Sequence, residues 1–135
     1  ISKKQGEMGW HGYYFHLEPD NKSGAGGGLV DLDSKTLFKV RKYISDHFDE
    51  FTDIFYDKEF NKYFPEFGDK DSALKRIPQG FSETDPSAEF IKNKMFIVWY
   101  VINDEDIVKD KAYDNIIKSY QVMKPMLDFL QKAIT

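Results

Sequence analysis

The 135-residue chain has no cysteine. That absence removes a disulfide framework, a thiolate metal site and a thiol nucleophile together. It has no apolar run near the roughly 20 residues a membrane span needs, since the longest, Met95 to Ile102, has the length of a strand. No basic head leads into an apolar signal region at the start. Blocks of like charge are missing as well: 19 basic and 23 acidic residues are interspersed to a net charge of -4. A phosphate-backbone binder clusters its Lys and Arg. Here the nearest group is Lys39, Arg41 and Lys42 on a predicted helix. These gaps predict no nucleic-acid partner, no membrane partner and a cytoplasmic location. The chain opens on Ile1 rather than Met and is expected to begin inside its gene product.

What the chain has in quantity is aromatic bulk, with twelve Phe, eight Tyr and two Trp. Those side chains predict an aromatic core whose Tyr and Trp tips need polar partners. The length suits one domain over residues 1–135, able to bury about two thirds of the surface its unfolded form exposes.

Trp10 to Glu18 reads as a strand, dense in aromatic residues and ended by Pro19 and Asp20. His11, Tyr13, Phe15 and Leu17 fall on one face; Trp10, Gly12, Tyr14, His16 and Glu18 fall on the other. With aromatic bulk on both, the strand is expected to need cover on both sides or a central place. The glycine-rich stretch from Asp20 to Gly28 reads as a flexible loop leading into Leu29 to Asp33, which makes a hairpin over about 10–33. Gly26, Gly27 and Gly28 lack the spacing of a nucleotide-binding loop and are expected to form loop and bulge.

Leu37, Val40, Ile44, Phe48, Phe51 and Phe55 recur in steps of three and four, predicting a helix over about 34–56 behind an Asp33 or Ser34 cap. A short helix is expected at 57–64, closed by Pro65. Asp85 and Pro86 open another at about 86–93. Met95 to Ile102 is the expected buried central strand. Asn103 and Asp106 resemble a capping box for a brief helix. The last helix, about 111–133, presents Ile116, Ile117, Tyr120, Met123, Leu127, Leu130 and Ile134, and Pro125 is expected to kink it. The whole reads as α+β, helices packed on a small antiparallel or mixed sheet.

Six phrases stand in a familiar order: GYYFHLEP at 12–19, GGGLVD at 26–31, EFNKYF at 59–64, LKRIPQGF at 74–81, DPSAEFIKNKMFIV at 85–98 and MKPMLDFL at 123–130. Together they resemble the family catalogued as domain of unknown function 2461 (DUF2461), found mainly in bacteria. Two departures stand out. Asp85 occupies a position where the family typically shows His, and it caps a helix without offering an imidazole. The family's arginine-rich motif, which ends in a Lys and Tyr pair, lies upstream of Ile1. The resemblance therefore implies the C-terminal two thirds of the family domain, with an N-terminal segment absent. It also implies that strand 10–18 pairs with that segment or self-associates through an exposed edge.

Two clusters could carry chemistry. His16 and Glu18 share a strand face, with Asp31 or Asp33 on the next strand if the register allows. That set could serve as general acid and base or hold a metal, but a histidine bonded to a carboxylate on a half-solvated sheet is the more frequent case. Lys75 and Arg76 precede Ile77, Pro78, Gln79 and Gly80 on a shaped loop, and Lys94 is expected to face the same cleft. Arg suits bidentate anion contacts, and an ion pair with local acids would consume the same residues. No GxSxG or HExxH setting occurs, so no reaction, metal site or cofactor is assigned. Two functions remain: a domain that binds, or binds and acts on, a small anionic ligand, and a non-catalytic interaction or structural module.

Overall fold

The computed structural model describes residues 10–16, 20, 22–105 and 112–135. Its sheet has strands β1 (Trp10–His16), β2 (Ser23–Val30) and β3 (Phe96–Ile102), antiparallel throughout and in the spatial order β1-β2-β3. The register places Tyr14 against Gly26 and Gly26 against Trp99. The hairpin and the α+β class stand as expected, but the central strand does not. It is the glycine-rich β2, buried from Ser23 to Leu29, while β3 lies at one side of the sheet and β1 at the other.

The physical reason is the indole of Trp99. It lies across the backbone of Gly24 and Gly26, where a Cβ on either would overlap the ring. The glycines expected to form a loop instead extend as a strand, because close cover substitutes for side chains of their own. On the opposite face Ala25 packs against Ile102, Tyr100, Ile116 and Tyr120, and Leu29 enters the main core.

Helix α1 (Ser34–Asp46) starts where Asp33 accepts from the Thr36 N–H at 2.7 Å. The single helix expected over 34–56 is broken at His47, whose backbone is non-helical (φ -121°, ψ 37°). His47 caps α1 through its N–H on the Tyr43 carbonyl at 2.9 Å, and its ring stacks on Tyr43 at 4.1 Å. Helix α2 (Phe48–Phe55) then sets off anew with the apolar period intact, which is why period alone does not reveal the break. Helix α3 (Lys58–Tyr63) is capped by Asp57, and α4 (Ala88–Ile91) is shorter than its expected span.

The last helix, α5 (Ala112–Ile134), contains Pro125. Its buried seam runs through Ser119, Val122, Met123, Met126, Phe129, Leu130 and Ala133. The expected stripe is thus rotated: Ile117 is exposed, and Phe129 and Met126 take the core positions. Phe51 is fully buried at the centre, with the rings of Phe48, Phe55, Phe67, Phe90 and Phe129 between 4.9 and 6.1 Å away. Most meet edge to face, the arrangement that ring quadrupoles favour. Leu17, Glu18 and Asp106 lie outside the described residues.

Candidate functional site

Between Phe64 and Phe96 the chain is mostly irregular, so its shape depends on individual anchors. The Gly68 N–H donates to the Ile97 carbonyl and the Leu74 N–H to the Lys92 carbonyl, each at 2.8 Å. Gly68 has φ 81°, and a Cβ there would overlap the side chain of Asn93. Asn93 is buried, and its Nδ2 donates to the Phe90 carbonyl at 2.9 Å. Pro78 accepts from the Phe81 N–H at 3.2 Å, closing the turn that follows the basic pair, and Phe81 packs on Phe38 of α1.

Two residues of α1 and one of the loop fix the far side. Arg41, only 7% exposed, donates from Nε to the Ile91 carbonyl at 2.6 Å and from Nη2 to the Asn93 carbonyl at 2.9 Å. Burial lowers its pKa, and carbonyl dipoles rather than a carboxylate receive its charge. Ser45 donates to Asp85 at 2.6 Å, and Ser87 donates to the same carboxylate from its Oγ at 2.6 Å and its N–H at 2.8 Å. Burial pushes the Asp85 pKa up, and the hydrogen bonds from Ser45 and Ser87 outweigh it, leaving the group below its ordinary value. Asp85 therefore ties Ser45 of α1 to Ser87, the residue that precedes α4.

These anchors form a cleft of about 500 Å³ between the 65–74 segment and α4. Phe55, Phe67 and Phe90 supply aromatic surface, Asn93 part of the wall, and Glu66, Lys70, Glu89 and Lys92 the charges. Lys92 bonds Glu89 at 3.2 Å; its side chain is 23% exposed and that of Glu89 84%. Asp69 and Asp71 line a separate depression that shares Lys70 and Glu66.

The residues singled out from sequence are not gathered at one point. Lys75 and Arg76 are exposed and follow Leu74, which lines the cleft, but do not line it themselves. Lys94 is exposed just after Asn93. All three lack an ion pair with a described residue. His16 pairs with Gly24, which pairs with Val101, so it stands near the end of the sheet remote from Phe96. Five residues of β3 separate those levels, roughly 16 Å at the rise of a strand. The same register sets Asp31 and Asp33 beyond Val30, at the other end of the hairpin from His16.

Among the described residues no three His, Asp or Glu side chains assemble as a metal-binding group. Lys70, Lys92, Glu66 and Glu89 escaped the sequence reading. No local signal singles them out, since Glu-Phe steps recur at 50–51, 59–60, 66–67 and 89–90.

The fold and the cleft define a small α+β protein whose described helices pack against a three-stranded antiparallel sheet. The chain belongs to the family described as conserved hypothetical protein (DUF2461), whose model matches residues 1–129. That span departs slightly from the two thirds expected. No curated protein and no solved structure matches. No helix among the described residues is long and apolar enough to cross a membrane.

Proposed function

We propose that the domain binds a small anionic ligand at the cleft between the 65–74 segment and α4. Lys70 and Lys92 act at the cleft, and Lys75, Arg76 and Lys94 supply positive potential near it. The observation that carries this reading is the set of cations at and next to an anchored concave surface: among the described residues Lys70, Lys75, Arg76 and Lys94 have no ion-pair partner, while Lys92 is held by Glu89. A cation on a rigid segment gives up less side-chain freedom on binding. His16 is outside this proposal because of its distance along the sheet, and no reaction is assigned. A cytoplasmic setting, compatible with the absence of cysteine, is part of the same reading.

The test is titration of the protein with acetate, sulfate and inorganic phosphate, followed by amide chemical shifts. Saturable shifts at Leu74, Lys92 and Asn93 that weaken in Lys70→Met and Arg76→Met are expected. Shifts absent from those amides, or unchanged by both substitutions, would overturn the proposal.

A second reading, an interaction module working through β1, draws on the position of that strand at one side of the sheet and on Phe15, 42% exposed. Concentration-dependent mass that disappears when Phe15 is replaced by Lys supports it. A constant monomer mass from micromolar to millimolar concentration sinks it.

A further inference from the structure

The cleft has a composition more specific than its charge. Phe90, partly exposed, lines the cleft together with Lys70 and Lys92, while Phe55 and Phe67, at 4% and 6% exposure, add little open surface to it. Acetate or phosphate could satisfy the lysines, but would leave that ring surface against water. A flat apolar body bearing one anionic group uses both features, since aromatic rings meet edge to face or offset at little geometric cost. We infer that the site takes an aromatic carboxylate, and that Glu89 competes with it for Lys92.

The inference rests on the anion site proposed above. Lys92 already holds an internal carboxylate, Glu89, at 3.2 Å across one turn. The partners differ in setting: the Lys92 side chain is mostly covered, while that of Glu89 stands almost entirely in water. A mostly solvated carboxylate gives up little when displaced, because exposed pairs of this kind contribute little to begin with. The incoming carboxylate brings a ring that loses water against phenylalanine, which Glu89 cannot do. Glu89 therefore acts as a tethered competitor that weakens binding in the native sequence and makes Lys92 hold small anions that lack a ring less tightly.

Most substitutions near a binding site weaken it, whereas removing a competitor strengthens it. With benzoate as the probe, Glu89→Gln is expected to tighten binding about twofold to fivefold, the range an exposed ion pair accounts for. Lys92→Met is expected to weaken it, and in that background Glu89→Gln should have no further effect. Benzoate should bind about tenfold more tightly than acetate, with benzyl alcohol weaker than benzoate.

Amide titrations of the full chain read all of these, and Glu89 is exposed enough for its variant to keep the fold. If benzoate and acetate bind alike, or Glu89→Gln weakens benzoate or leaves it unchanged, the inference is overturned while the anion site stands. If no anion moves the amides of Leu74, Lys92 and Asn93, the site itself is lost and the inference with it.

Discussion

Arg41 on α1 reaches across to the backbone carbonyl of Asn93, 52 residues later in the chain, at 2.9 Å. With its second bond to Ile91 it receives the chain as α4 gives way to the approach to β3, and so sets one wall of the cleft. Replacing it with Met leaves two carbonyls without their donor. A loss of about 2–3 kcal/mol is expected in urea denaturation, because an unsatisfied buried acceptor costs about 1–3 kcal/mol. Arg41→Lys should recover only part, since one ammonium does not reproduce the planar fork. A Met variant as stable as the parent would show that the bonds merely follow the fold.

The Trp99 indole over Gly24 leaves no room for a methyl group. Gly24→Ala is expected to destabilise by about 1–3 kcal/mol, the usual range for overpacking. The penalty should shrink in a Trp99→Val background. A double-mutant cycle measures that coupling, and an equal penalty in both backgrounds would mean the ring is not what excludes the side chain.

Phe51 is the shared neighbour of five rings. Phe51→Ala should cost about 3–5 kcal/mol through lost burial and the cavity left behind. Because Phe55, Phe67 and Phe90 also line the cleft, the same variant should broaden the amide signals of Leu74 and Asn93 before global unfolding. Sharp, unshifted signals from a destabilised variant would separate the core from the site.

Asp85 has a folded pKa below its ordinary value, so the native state favours the carboxylate. Its contribution is fully present above the unfolded value of about 3.9 and is lost as pH falls through the lower folded value. The stability difference between the parent and Asp85→Asn should therefore be constant near neutrality and narrow in acid below about pH 4. A difference that widens on acidification would reverse the assigned sign.

Helices and caps were legible because local chemistry determines them. Asp33 bonds Thr36 and Asp57 bonds Phe60, both three residues on, as a cap must. The break at His47 was hidden because the apolar spacing continues across it, and only a ring stacked on Tyr43 marks the place. The role of β2 was hidden more deeply. Gly24 and Gly26 carry no pattern of their own, and the residue that covers them in the strand, Trp99, lies more than 70 positions away. The site was half visible: Lys75, Arg76 and Lys94 bracket the cleft in sequence, while Lys70 and Lys92 depend on a fold of the 65–95 segment that no local rule supplies.

A sheet whose middle strand is largely bare backbone has little means of keeping its own alignment. A two-residue slip of β2 would exchange glycine for glycine at two of its three outer positions. Ala25 and Leu29 on the inner face, with one indole on the outer, are what make the slipped arrangements inferior. The strand that looks most tolerant in composition is thus read by its neighbours, and substitutions at Trp99 should change which pairing the sheet adopts more than how tightly it holds together.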